Sequence, residues 1–68
     1  MRDNQAQKLF PVGLEFFKNR KFDKAADIFN EILMINPKNV NSLIILSQIC
    51  KIKNDITEYE RLLKKIIK

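Results

Sequence analysis

The sequence predicts an all-α fold of four helices, arranged as two antiparallel helix-turn-helix hairpins that stack on each other. Hydrophobic residues make up 46% of the chain and charged residues 31%, with one Gly and two Pro, which is typical of a folded, helix-rich chain. Apolar residues recur at helical spacing in four segments. Short polar stretches at residues 19–21, 36–37 and 54–55 separate these segments, which indicates three turns.

The length of 68 residues allows one small domain. The single core of such a chain rarely supplies more than about 3–5 kcal/mol of stability, so a further source of stabilisation is expected. We assign residues 1–7, which are polar, to a frayed amino terminus and residues 8–68 to the domain.

The first predicted helix begins near Lys8 and ends near Lys18. Its apolar residues form two adjacent stripes, which are Leu9, Val12, Gly13 and Phe16 on one side and Phe10, Leu14 and Phe17 on the other. Pro11 would then lie in the first turn, where its missing N–H has no intrahelical acceptor to bond. Deeper in a helix, a proline costs about 3 kcal/mol.

The second predicted helix follows the polar turn and ends near Ile35. Asp23 stands at its start, where a carboxylate can accept backbone N–H bonds and oppose the positive end of the helix dipole. Asn36 precedes Pro37 and is therefore biased away from the helical conformation, which ends the helix.

The third and fourth predicted helices have recognisable starts. Asn39 is a suitable N-cap for a third helix that is apolar over much of its circumference, and the spacing of these residues over three turns favours a helix over a strand. Asp55 with Glu58 three residues later resembles a capping box that opens the fourth helix. The buried stripe of that helix is predicted to comprise Ile56, Tyr59, Leu62, Leu63, Ile66 and Ile67.

The two predicted hairpins repeat each other at a constant offset of 34 residues. The matched pairs are Leu9 and Leu43, Val12 and Leu46, Gly13 and Ser47, Phe16 and Cys50, Phe22 and Ile56, Phe29 and Leu63, and Ile32 and Ile66. The small residues Gly13 and Ser47 carry more weight than the aliphatic pairs, because apolar helices often match by chance.

The first copy carries a distinctive set of small, aromatic and proline residues, which are Gly13, Phe16, Phe22, Ala25, Phe29 and Pro37. With these residues it resembles a tetratricopeptide repeat, whose motif places a small residue and an aromatic on its first helix, Ala and an aromatic on its second helix and Pro after it. The resemblance covers residues 6–39 and extends more weakly over residues 40–68, where Tyr59 replaces the small residue of the second helix. It implies a short right-handed α-solenoid.

The resemblance also implies a protein-protein interaction module, or scaffold, that binds a peptide or a helix through a concave face formed by the first helices. The residues predicted to face this groove, and not to be needed for packing within a repeat, are Phe10, Leu14, Phe17, Lys18, Asn41, Ile44, Gln48 and Lys51. The basic and Asn-containing clamp with which some family members hold chaperone tails is absent, since Phe10 and Leu14 occupy its first-helix positions and Ile44 or Ile45 its position in the second repeat.

A second hypothesis is a self-assembling structural homo-oligomer. Stacked hairpins generally need about three units to bury a continuous core. Ile56, Leu63 and Ile67 on the fourth helix are therefore predicted to be uncovered, and they are the candidates for self-association. We expect a homodimer, completion by another subunit, or a longer array.

Other functional classes receive less support. The net charge is +5, but the basic residues are scattered, so nucleic-acid binding through Lys18, Arg20, Lys21, Lys64 and Lys65 is the least favoured binding hypothesis. The chain has no His, one Cys and no Gly-rich phosphate loop, so we predict no enzyme activity, no metal and no cofactor. The apolar runs are too short to cross a bilayer, which predicts a cytoplasmic protein without membrane contact.

Overall fold

The fold consists of α-helices joined by short turns. The computed structural model describes the backbone of residues 2–67 and the side chains of residues 5–67. These residues form four α-helices and no strand, with α1 at Arg2–Lys18, α2 at Phe22–Ile35, α3 at Val40–Ile52 and α4 at Ile56–Ile67. The predicted all-α class is therefore confirmed.

The helices pack against their neighbours in sequence. Helix α1 packs against α2, α2 also packs against α3, and α3 packs against α4, so two antiparallel hairpins stack through α2 and α3. The core extends through all four helices and contains Ala6, Ala25, Phe29, Ile32, Leu43, Leu46, Ile49 and Leu62. This hairpin stack is the predicted architecture.

The two hairpin turns have the same backbone conformation. Arg20 in the first turn and Asn54 in the second are the only non-glycine residues among those described that have a positive φ, at 62° and 64°. The next amide, of Lys21 or Asp55, donates a hydrogen bond to a carbonyl five residues earlier, at 2.9 Å and 2.8 Å respectively. This bond is the main feature of a Schellman motif, which satisfies the carbonyls at the end of a helix.

Helix α1 begins earlier than the sequence predicted. It starts at Arg2 rather than near Lys8, so the assignment of residues 2–7 to a frayed terminus is wrong, while Met1 lies outside the described residues. The physical reason is Ala6, which is buried in the core and fixes the first turns of the helix. Pro11 consequently lies inside the helix and not in its first turn.

The starts of α3 and α4 agree with the predicted caps. The Asn39 side chain accepts a hydrogen bond from the Ser42 amide at 3.0 Å, as an N-cap does. The Asp55 carboxylate accepts one from the Glu58 amide at 3.4 Å. The Glu58 carboxylate accepts a bond from Arg61 instead of reaching back, so the capping box is half formed.

The start of α2 differs from the prediction. Asp23 lies in the first turn of α2, where its charge opposes the helix dipole, but the carboxylate does not cap the backbone. It accepts a hydrogen bond from the ammonium group of Lys53, at the end of α3. This ion pair joins the two hairpins, and the bond to Asp23 raises the pKa of Lys53 above its ordinary value.

Candidate protein-binding surfaces

A close contact between Gly13 and Phe29 sets the distance between α1 and α2. A Cβ atom on Gly13 would lie 2.8 Å from Cζ of Phe29, which is closer than real Cβ contacts. Phe29 is fully buried, and its ring also makes an edge contact with Phe10, with 5.6 Å between the ring centroids. The absence of a side chain at Gly13 therefore lets α1 approach α2 and brings the predicted groove residues of α1 into place.

The aromatic residues predicted to face outward from α1 are partly used inside the hairpin. Phe10 packs edge-on against Phe29, and Phe17 packs edge-on against Phe22 with 5.6 Å between the centroids. Both are half-buried, as is Leu14. The prediction that Phe10 and Phe17 are not needed for packing within the first repeat is wrong, because each ring stabilises the α1–α2 contact through its edge.

The remaining predicted groove residues are exposed. These are Lys18 at the end of α1 and Asn41, Ile44, Gln48 and Lys51 on α3. Ile44 belongs to a row with four-residue spacing that includes Val40 and Ile52, and all three are exposed. Val40 and Ile52 were not among the predicted groove residues, although their spacing from Ile44 was a signal for a shared face.

Two recesses are each lined by one half-buried phenylalanine of α1, Phe10 in the first and Phe17 in the second. The first, of about 480 Å³, is lined by Ala6, Gln7, Phe10, Pro11, Asn36, Asn39 and Asn41. The second, of about 440 Å³, is lined by Phe17, Lys18, Arg20, Phe22 and Ile52. The first lies where the start of α3 approaches α1, and the second lies where the carboxyl ends of α1 and α3 approach each other. The structure thus brings Phe10 together with Asn41, and Phe17 together with Lys18.

The outer side of α4 is a separate apolar surface. Ile67 is 80% exposed and Ile56 is 48% exposed, while Tyr59 and Leu63 are half-buried. The corresponding residues of the first hairpin are less exposed, since Phe22 and Leu33 are half-buried and Ala25 and Phe29 are fully buried. Helix α3 packs against α2, whereas no described residue covers the equivalent side of α4.

Two titratable groups among the described residues have a shifted pKa, the Cys50 thiol and the Lys53 ammonium group. Partial burial raises the pKa of the Cys50 thiol, and the nearby carboxylates of Asp55 and Glu58 raise it further, so the thiol stays protonated at neutral pH. The described residues contain no group of three His, Cys, Asp or Glu side chains placed to hold a metal ion. What this arrangement offers chemically is apolar contact area with charged and amide groups around it.

Comparison with protein-family models, curated proteins and solved structures gave no match. None of the helices described at residues 2–67 has the length and apolar character that crossing a membrane requires.

Proposed function

We propose that this chain is a helical-repeat module of the tetratricopeptide type that binds a peptide or a helix of a partner protein in the groove between α1 and α3. The observation that carries this proposal is the pair of recesses along this groove, each lined by one half-buried phenylalanine of α1. A partner side chain that enters either recess completes the burial of an aromatic ring, and such buried apolar anchors supply most of the energy of peptide binding.

The tetratricopeptide assignment rests on more than the apolar pattern. The repeat offset relates the two turns, in which Arg20 and Asn54 share the left-handed conformation. It also relates the small residues Gly13 and Ser47, which are both buried. Because both the turn conformation and the small residue at the helix contact recur at the same offset, they support the interpretation that the two hairpins are copies of one structural unit.

The polar groups around the groove indicate the chemistry of the partner segment. Lys18, Arg20 and Lys51 make its second end basic, whereas the first end offers the amides of Asn36 and Asn41. A segment with two apolar residues and an acidic residue near one end fits this distribution. Ile44 and Ile52 provide exposed apolar surface on the α3 side of the groove.

Selection from a library of random 12-residue peptides displayed on phage tests the proposal. We expect enriched peptides to share apolar residues and an acidic residue, and to lose binding when Ile44→Glu is introduced at a position that is 38% exposed. Met34→Glu is the matched control, because Met34 is 82% exposed on α2, away from the groove. Failure to enrich any sequence, or equal binding by the Ile44→Glu variant, would refute the groove as the binding site.

The other hypotheses stay predictions and have their own tests. Self-assembly is favoured by the exposed apolar side of α4 and is tested by sedimentation. Nucleic-acid binding through the scattered basic residues requires an affinity that falls steeply with salt, so a mixed RNA or DNA that does not bind at low salt would dispose of it. The absence of enzyme activity and the cytoplasmic location also stay predictions.

A further inference from the structure

The exposed side of α4 has a regular pattern of apolar and charged residues. Ile56, Tyr59, Leu63 and Ile67 follow each other at spacings of three and four residues, so they form one stripe along the whole helix. Leu62 faces α3 and is buried, whereas both ends of the stripe are exposed, Ile56 at 48% and Ile67 at 80%, and Tyr59 and Leu63 between them are half-buried. The stripe therefore lies beside the α3 contact, and both of its ends are uncovered.

Glu60 and Lys64 border this stripe on the side away from α3. They are one helical turn apart, and a helical projection places both next to Leu63 and Ile67, on the opposite side from Leu62. Both are exposed. Neither forms an ion pair with any side chain that the structure describes, since the ion pairs found there are Lys53 with Asp23 and Arg61 with Glu58.

One way to cover α4 is head-to-tail stacking, in which α1 of another copy packs against α4 in the way that α3 packs against α2. By the repeat offset, α1 would occupy the position of α3, and Lys8 and Glu15 would replace Ser42 and Ile49. Ser42 and Ile49 are almost completely buried against their neighbours. Two charged side chains at such positions would lose their hydration, which strongly opposes this arrangement.

Pairing of α4 with α4 of a second copy does not bury these charges. In an antiparallel pair related by a two-fold axis near residues 61 and 62, Ile56 lies opposite Ile67 of the partner, and Leu63 lies between Tyr59 and Glu60 of the partner. The same symmetry places Glu60 beside Lys64 of the partner, and it does so twice. A parallel two-fold pair would place Glu60 and Lys64 of one helix on the opposite edge of the interface from Glu60 and Lys64 of the other helix, where these ion pairs cannot form, so the charges favour the antiparallel arrangement.

We propose that the chain forms an isologous homodimer through α4, with the two helices antiparallel and with two Glu60–Lys64 ion pairs beside the apolar stripe. This dimer leaves the groove between α1 and α3 open, so it does not depend on the peptide-binding proposal. A pair of 12-residue helices is a small interface compared with the roughly 1,600 Å² of a standard complex. We therefore expect a dissociation constant of roughly 10–100 μM.

Sedimentation equilibrium from about 5 μM to 1 mM measures this association, a range set by the expected affinity. We expect a monomer-dimer equilibrium, and we expect Ile67→Asp to leave a monomer throughout the range while circular dichroism shows unchanged helicity. Met34→Asp is the control, since Met34 is exposed to the same degree on α2, at 82% against 80%. A monomer at 1 mM in the unmodified protein, or a dimer that Met34→Asp removes and Ile67→Asp does not, would overturn the proposal.

The charges test the orientation of the helices. Glu60→Lys and Lys64→Glu should each weaken the dimer about three- to tenfold at low salt, because each replaces two attractive contacts by two repulsive ones. The double variant should restore the original affinity, since it exchanges the two charges. Single variants without effect, a double variant as weak as the single ones, or growth into larger species with concentration would each contradict an antiparallel α4 dimer.

Discussion

Arg20 and Asn54 lie 34 residues apart and have the same left-handed backbone conformation, with φ of 62° and 64°. Each follows the end of the first helix of its hairpin, and in each turn the amide of the left-handed residue donates a hydrogen bond of 3.1 Å to a carbonyl three residues earlier. The internal repeat is therefore a repeat of backbone conformation as well as of apolar spacing. Neither turn uses glycine, although glycine adopts this conformation most readily.

Arg20→Gly is expected to stabilise the protein by about 0.5–1 kcal/mol. The left-handed conformation costs a residue with a Cβ about 1–2 kcal/mol, and glycine removes this cost. The greater freedom of glycine in the unfolded chain offsets part of the resulting gain in stability. Asn54→Gly should gain less, because asparagine tolerates this conformation. Urea denaturation followed by circular dichroism measures both, and a larger gain at Asn54 than at Arg20 would contradict this account.

Gly13→Ala should destabilise the protein by about 1–2 kcal/mol, even though alanine favours helix formation by about 1 kcal/mol. The new methyl group would meet the ring of Phe29, which cannot easily move because it is fully buried and also contacts Phe10. In a Phe29→Leu background the ring is gone, so Gly13→Ala should cost less there. An equal cost in both backgrounds would show that the two residues are not coupled.

Ser42→Ala should stabilise the protein by about 1 kcal/mol. The Ser42 hydroxyl is completely buried and has no hydrogen-bond partner among the described residues, so its removal relieves a desolvation cost. Ser47→Ala is the comparison, because the Ser47 hydroxyl donates a bond of 2.6 Å to the Ile44 carbonyl. We expect the Ser47 change to give no such gain, and thermal unfolding distinguishes the two variants.

Most helix boundaries could be predicted because the chain marks them with local signals. Asn39 and Asp55 cap their helices through short side chains that bond amides three residues ahead, which depends on sequence alone. Residues 2–5, at the start of α1, are polar and offer no apolar spacing that would mark the helix. Ala6 was the available signal, since it precedes Leu9, Phe10 and Gly13 at helical spacing, but one small residue is weak evidence.

The candidate groove was harder to predict than the fold. Spacing places Phe10 and Phe17 on the side of α1 that faces the groove, but the direction of each ring decides how much of it remains exposed. Both rings turn toward α2 and make edge contacts there, and these contacts depend on the positions of Phe29 and Phe22 across the helix interface. Such contacts depend on how the two helices pack together, so the sequence of one helix alone does not predict them.

Pro11→Ala is expected to stabilise the protein by up to about 3 kcal/mol. Nine residues of α1 precede Pro11, so its missing N–H leaves the Gln7 carbonyl without its usual intrahelical donor. If the helix began near Lys8 instead, Pro11 would lie in the first turn and the change would have little effect. Pro37→Ala, in the turn between α2 and α3, should slightly destabilise the protein and serves as a control for a general effect of proline removal.

Cys50 should titrate at a higher pH in the folded protein than in the unfolded chain. Burial disfavours the thiolate first, the carboxylates of Asp55 and Glu58 add to this, and the ammonium group of Lys53 opposes it. The rate of alkylation by iodoacetamide against pH, measured in buffer and in urea, reports the two pKa values. Asp55→Asn keeps the cap and removes the charge, so it should lower the pKa of Cys50 in the folded protein.

The same raised pKa makes stability depend on pH. Between the pKa of Cys50 in the unfolded chain and its higher pKa in the folded protein, the folded protein holds more protons, so the free energy of unfolding falls as pH rises. The Lys53–Asp23 pair acts in the same direction only at higher pH, because a lysine whose pKa is raised stabilises below its ordinary pKa and loses this effect above it. The fall in stability that begins near the ordinary thiol pKa of about 8.5 should therefore disappear in the Cys50→Ala variant. The further fall above about pH 10.4 should persist in the Cys50→Ala variant and disappear in the Lys53→Met variant. If the Cys50→Ala variant loses stability over the same lower range as the unmodified protein, another group is responsible for that loss.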